Sequence, residues 1–153
     1  MQTMSDTIDT AGFHFSGAHR KLLHAALQTG YGLWAGLRLL EVRQGFARLA
    51  FTPRAEMLTA WGTLNGGVIN SLVEVPAFVA LLTELGPEEL PVTNDIFLQH
   101  LRPLPAVEYE LTGSVLRKGK TMAWVESAAL VDGKPHTLAR ITKTLTPLPA
   151  AAR

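Results

Sequence analysis

One carboxylate stands alone in the most apolar part of this chain. Between Met57 and Thr83, Glu74 is the only acidic or basic side chain. Burying a carboxylate without a partner is costly, so the group needs either a structural counterpart or a chemical purpose. A lone buried charge is a guide to a functional site, and a satisfied structural carboxylate or one that points to solvent accounts for the same residue. Its neighbours one helical turn back are Asn70 and Ser71, which make a narrow polar stripe. Upstream, Thr63-Leu64-Asn65-Gly66-Gly67 sets a capping Asn before two glycines. The first N–H groups of a helix have no intrahelical acceptor and favour negative charge, so they suit a carbonyl oxygen that becomes an oxyanion. Glycine there lets a substrate approach the backbone. An ordinary helix cap with glycines for tight packing accounts for the same residues.

These two features lie about 12 Å apart along a helix rising 1.5 Å per residue. One helix cannot aim both Gly66 and Glu74 at a single atom. Two antiparallel copies can, each supplying one element to two equivalent sites. If both groups serve one reaction, the chain works as a twofold homodimer with its sites at the interface.

The elements that hold these residues are legible in the periodicity. Ser16 to Gln28 puts Leu22, Leu23, Ala26 and Leu27 on one side of a first helix, which Gly30 and Gly32 are expected to end. Leu37 to Thr52 reads as two strands around Gln44-Gly45. From Asn65 to Leu85, Ile69, Leu72, Pro76, Val79 and Leu82 recur at spacings of three and four, and Val68, Val75 and Phe78 widen the stripe. A helix apolar on nearly every side is buried on most sides. Val92–Leu101 is the next strand, and Val107 to Val115 alternates with period two. Thr121–Leu130 returns after a turn at Arg117-Lys118-Gly119-Lys120, and His136–Leu145 follows a hairpin at Asp132-Gly133. A buried helix followed by a meander of about four strands predicts an α+β fold, a curved antiparallel sheet wrapped around a long central helix.

Composition excludes several classes. The chain has 153 residues, 47% hydrophobic and 18% charged, enough for one domain with its own core. A single domain over 1–153 is expected, with about 1–12 and 147–153 flexible. Fourteen basic against 13 acidic residues give a net charge of +1, which argues against nucleic acid as a partner. With no cysteines, disulfides, thiolate metal sites and cysteine nucleophiles are out. The apolar stretch 57–83 is broken by Asn65-Gly66-Gly67, Glu74 and Pro76, so no bilayer span fits it. The N-terminus carries Asp6 and Asp9 and no apolar run. A soluble, cytoplasmic protein without a membrane partner is the expectation. No Gly-x-Ser-x-Gly elbow, phosphate loop or dinucleotide fingerprint is present, and the five histidines lack metal-ligand spacing. No metal and no cofactor are expected. Trp34, Trp61 and Trp124 are expected as core or pocket aromatics.

Over roughly residues 30–146 the chain resembles the hotdog-fold thioesterases, specifically the PaaI-like acyl-CoA thioesterase branch named for phenylacetic acid degradation. Gly62-Thr63-Leu64-Asn65-Gly66-Gly67-Val68-Ile69 stands where that family has a Gly-x-x-His-Gly-Gly turn into the central helix. Glu74 stands nine residues after the position of that His, where the family carries Asp or Glu. Leu98-Gln99-His100-Leu101-Arg102-Pro103 resembles its third strand, and Val115 to Lys120 its basic strand-end turn.

The resemblance implies hydrolysis of an apolar or aromatic acyl-CoA thioester in a homodimer or a dimer of dimers, CoA entering as part of the substrate. Carried over, Glu74 is the nucleophile or general base, Gly66 the oxyanion donor, and Asn65 the turn residue. Gly67 and Thr59 flank the carbonyl, and Thr93 orients the water or carboxylate. Arg102, Arg117, Lys118 and Lys120, around Gly119, face the CoA phosphates. Three positions depart from the pattern. Asn65 replaces the usual His and cannot supply imidazole chemistry, Thr59 replaces an Asn, and Pro76 is expected to kink the helix near Leu72. A hotdog dimer that holds an acyl-CoA without cleaving it is the alternative that these departures motivate.

Overall fold

The computed structural model describes Thr10 and residues 12–150, so most of the N-terminal segment expected to be loose, and residues 151–153, lie outside the described residues. Helix α1 (Gly17–Gln28) starts at Ser16, whose hydroxyl accepts from the His19 N–H at 3.2 Å. Thr29 breaks it in an extended conformation, and the glycines expected to end the helical region instead open a second helix, α2 (Gly30–Ala35). Gly32 permits this, because a side chain there would collide with the Ala26 carbonyl of α1.

Six antiparallel strands follow: β1 (Arg38–Arg43), β2 (Phe46–Phe51), β3 (Glu89–His100), β4 (Tyr109–Lys118), β5 (Met122–Val131) and β6 (Lys134–Pro147). They form one sheet in the order β1-β2-β4-β5-β6-β3. The β5–β6 hairpin turns through Asp132 and Gly133, with φ of 50° and 70°, the pair of left-handed conformations that two-residue hairpins need. β4, β5 and β6 form the expected meander. β3 does not join it in sequence order. The helical segment between β2 and β3 carries the chain across the sheet, and β3 adds outside β6.

That segment is α3 (Gly66–Leu72) and α4 (Glu74–Leu82), two helices joined at Val73. Pro76 explains the joint. It has no N–H for the Leu72 carbonyl, so the helix is interrupted where a kink was expected, and a new first turn begins. Proline in that first turn sacrifices only a donor that would be unsatisfied anyway. The interruption also makes Glu74 the first residue of α4, where the helix dipole favours negative charge.

Ile69, Leu72, Val73, Ala77, Val79, Ala80, Leu81 and Leu82 are buried in one cluster with Leu49, Phe51, Tyr109, Leu111, Val125 and Ile141 of the sheet. Gly113 on β4 allows the close approach: an added Cβ would sit 2.3 Å from the Pro76 carbonyl oxygen. The Ser127 hydroxyl on β5 lies 2.6 Å from the Val73 carbonyl oxygen, within hydrogen-bond reach of the helix joint. At the C-terminus Pro147 closes β6, and buried Leu148 donates its N–H to the Glu88 carbonyl at 2.7 Å. Among the described residues no helix is long and apolar enough to cross a membrane.

Candidate functional site

Glu74 has a buried partner, and it comes from the far end of the chain. Lys143 on β6 makes an ion pair with Glu74 Oε1. Thr93 on β3 donates its hydroxyl to the same oxygen. Lys143 Nζ also lies 2.8 Å from Thr93 Oγ1 and 5.7 Å from the centroid of the Phe78 ring. Register builds this group. Thr93 and Lys143 are direct cross-strand partners in the β3–β6 ladder, so both side chains leave the same face of the sheet, towards α4. Immediately after Thr93 the register shifts, and the bulge ends the regular alternation at that point.

Lys143 has no exposed side-chain surface, whereas Glu74 retains 33% of its own. Burial pushes the Glu74 carboxyl up, but the Lys143 ammonium and the two hydrogen bonds outweigh it and hold the group below the usual carboxylate range. Burial also depresses Lys143 below the usual lysine range, against the pull of Glu74. Both hydrogen bonds to Glu74 enter through Oε1, so Oε2 has no hydrogen-bond partner among the described residues. Asn70 and Ser71, the helical neighbours singled out in the sequence, do not reach the carboxylate. Ser71 instead bonds the Tyr31 hydroxyl and the Val68 carbonyl.

Glu74 lines a cleft of about 420 Å³ between α4 and the two N-terminal helices. Ala26, Tyr31 and Gly32 form its outer wall, and Val75 and Phe78 its floor. An ionised carboxylate beside an apolar, aromatic-lined cleft can take a proton from water or attack an electrophilic carbon.

At the other end of the helical segment, Asn65 caps α3 and its side-chain oxygen accepts from the Gly67 N–H at 2.8 Å. That leaves the Gly66 N–H without an acceptor among the described residues. His100 stands over this turn: a Cβ on Gly66 would meet its Nε2 at 3.2 Å. The other ring nitrogen of His100 is 2.9 Å from the hydroxyl of buried Thr137. Thr59 closes its own turn. Its N–H donates to the Thr63 carbonyl at 2.7 Å, and its hydroxyl lies 2.9 Å from that of Thr63.

The basic turn is partly spent on the protein itself. Lys118 pairs with Glu89 at 3.1 Å, Arg117 lies 5.6 Å over the Trp124 ring, and Arg102 donates to the Pro135 carbonyl. Gly119 donates its N–H to the Met122 carbonyl at 2.8 Å, and Lys120 is exposed. The tryptophans are not core residues in the chain: Trp61 is 80% exposed, and Trp34 and Trp124 are 42% and 37% exposed. Trp34 stacks on Tyr31 and sits under Arg54. Among the described residues no group of three or more His, Asp or Glu is placed to hold a metal ion.

Sequence reasoning missed Lys143, and a signal for it existed. Thr137, Ala139, Ile141 and Lys143 alternate along β6, all buried. A lysine in an inward row requires a buried counter-charge, and Glu74 is the carboxylate that the apolar helix offers.

Comparison with known proteins agrees with this architecture. Residues 62–133, from the glycine turn through α4 to the last hairpin, match the Thioesterase superfamily. The chain is 28% identical over 90 residues to "Putative esterase SSO2140" of Saccharolobus solfataricus, spanning 59% of this chain and 64% of that relative's length. Among solved structures, a variant of thioesterase PA1618 of Pseudomonas aeruginosa superimposes with a TM-score of 0.75 at 22% identity, covering 84% of this chain and 94% of that one. A variant of the phenylacetic acid degradation protein PaaI of Thermus thermophilus gives 0.67 at 24% identity, covering 73% and 95%. At those identities the structures speak to the fold. They give this chain the hotdog fold, and the match to the Thioesterase superfamily covers the segment that carries Gly66 and Glu74.

Proposed function

We propose that this protein hydrolyses the thioester of an apolar or aromatic acyl-CoA. The observation that carries the reading is the Glu74 carboxylate, ionised by Lys143 and with no hydrogen bond to Oε2 among the described residues, in the lining of the cleft that Tyr31 and Phe78 share. The acyl group enters that cleft. As general base, Glu74 takes a proton from water while the water oxygen attacks the carbonyl carbon. The oxyanion collapses, the carbon–sulfur bond breaks, and the proton passes to the departing thiolate. As nucleophile, Oε2 attacks the carbon directly, the thiolate leaves, and water cleaves the resulting anhydride. Both routes use the same carboxylate and yield the same acid and free CoA.

The oxyanion donor in this reading is Gly66 of the partner subunit. Its N–H has no acceptor among the described residues, and the length of the helical segment keeps a chain's own Gly66 from its own Glu74. A homodimer brings the two together. The open edge of β3 supports such an assembly, since Val92, Ile96 and Phe97 are exposed along it and an apolar edge strand invites pairing. Arg117 and Lys120 face the CoA phosphates, with Lys118 already neutralised by Glu89, whereas Arg102 is held at the opposite end of the sheet by the Pro135 carbonyl.

A second reading, binding without cleavage, is favoured by Asn65 and Thr59. Asn65 spends its side-chain oxygen on the Gly67 N–H, and Thr59 is held in its own turn. A thiol-release assay over short, medium, long and aryl CoA esters separates the two. Hydrolysis is expected with at least one ester, falling by about 10²-fold or more in Glu74→Gln. Saturable binding with no thiol release from any ester supports the second reading. Undiminished turnover in folded Glu74→Gln removes the role of Glu74.

A further inference from the structure

Lys143 is a charged residue at a position built for an apolar one. Its neighbours in the inward row of β6 are Ala139 and Ile141, and its cross-strand partner on β5 is Ala123. From there the ammonium engages Glu74 Oε1 and approaches the Thr93 hydroxyl, which donates to the same Oε1. A free carboxylate has two equivalent oxygens. Here one takes both donors and the other takes none. Rotation about the last bond of Glu74 would break both hydrogen bonds, so the group is held in one orientation.

We propose that Lys143 is a positioning residue for thioester hydrolysis: with Thr93 it ties down Oε1 of Glu74 and so dedicates Oε2 to the thioester or its attacking water. This rests on the hydrolytic reading of Glu74. A buried counter-charge with a purely structural role neutralises the carboxylate whatever its orientation, and turnover of a folded variant then survives its loss. A positioning role ties turnover to the ammonium itself.

The electrostatics give a second handle. Lys143 supplies the attraction that holds the Glu74 carboxyl low against its own burial. The other elements around Glu74 offer little to replace it. β3 presents the neutral Thr93, α2 the phenol of Tyr31, and α1 contributes Ala25 and Ala26 to the cleft. Without Lys143 only the Thr93 hydrogen bond and the helix terminus still act against burial, and the carboxyl rises.

The test compares the wild type with Lys143→Met, Thr93→Val and Glu74→Gln, using the acyl-CoA that the wild type turns over best. In Lys143→Met, kcat at neutral pH is expected to fall about tenfold to a hundredfold, as for a displaced reacting group, with little change in KM. The acid limb of its kcat–pH profile is expected to move up by about one unit or more. Thr93→Val, which keeps the ammonium, gives a smaller loss in the same direction. Independently of turnover, carboxyl-carbon NMR on glutamate-labelled wild type is expected to show one resonance, absent in Glu74→Gln, titrating below the usual range. If Lys143→Met keeps wild-type kcat and acid limb while Glu74→Gln is inactive, the positioning role is overturned and the hydrolytic reading stands. If Lys143→Met does not fold, a wild-type Glu74 resonance titrating at or above the usual range overturns the proposal. If Glu74→Gln keeps full turnover, the reading of Glu74 fails first and this proposal falls with it.

Discussion

Replacing Glu74 with Gln removes the negative charge from a pair whose other member has no exposed side-chain surface. The ammonium of Lys143 is then buried with only neutral partners, the new side-chain amide, Thr93 and the Phe78 ring. Removing one partner of a buried ion pair costs about 3–5 kcal/mol. The lysine has one way out, which is to give up its proton, and at pH 7 this costs about 4–5 kcal/mol from an unperturbed pKa near 10.4. The two figures agree, so Glu74→Gln is expected to lose about 3–5 kcal/mol at pH 7. Lys143→Met is milder, about 1–3 kcal/mol, since the orphaned carboxylate keeps a third of its surface in water. The double variant Glu74→Gln/Lys143→Met leaves no unpaired charge and is expected to be more stable than Glu74→Gln alone, with a coupling of about 2 kcal/mol or more. Urea unfolding of the four proteins, with slopes compared to confirm two-state behaviour, measures the cycle. The sign with pH is also fixed. In Glu74→Gln the folded-state pKa of Lys143 lies below its unfolded value, so the unfolded chain binds more protons and stability rises with pH towards 10. The deficit relative to wild type therefore shrinks by up to about 1.4 kcal/mol per pH unit. A Glu74→Gln protein within about 0.5 kcal/mol of wild type, or a deficit independent of pH, would falsify the view that this carboxylate is what keeps Lys143 charged in the core. The cycle bears directly on the activity assay, because the double variant separates lost chemistry from lost fold.

Three further outcomes follow from the same geometry. Gly113→Ala drives a Cβ to 2.3 Å from the Pro76 carbonyl oxygen, a backbone atom that cannot step aside, and is expected to cost about 1–3 kcal/mol or more, read as a lower Tm. Tyr109 is fully buried with its hydroxyl donating to the Pro105 carbonyl at 2.8 Å, and its phenol is pushed up to about 12 by burial. Ultraviolet titration of the folded protein should then show one tyrosine ionising only near the alkaline unfolding transition, and ionisation near pH 10 would contradict that burial. Lys120→Ala is expected to raise KM for acyl-CoA a few-fold while leaving kcat, and to have no effect on a thioester of the same acid lacking the nucleotide, as for one lost surface contact to phosphate.

Much of this protein is local, and local features are readable along the chain. Period two in β4, a positive-φ pair at Asp132-Gly133, a Ser cap at Ser16 and the interruption beside Pro76 each depend on residues within a turn or two. Two polar features of the site were equally visible, a lone Glu74 and an Asn65 cap, while Thr93 stood out only through the family resemblance. What the sequence left open is every pairing that spans the chain. Glu74 and Lys143 are 69 residues apart, and Thr93 and Lys143 are 50 apart. They meet because β3 adds beyond β6 in a register that sets Thr93 opposite Lys143, and because α4 crosses the sheet at Gly113. Strand order and register are settled by burial of whole faces at once, a sum over many long-range contacts that no window of the sequence contains. The sequence by itself therefore determined which groups could react and which elements carry them. The tertiary structure alone decided that the carboxylate has a buried lysine behind it and that Lys143 and Thr93 engage the same one of its oxygens.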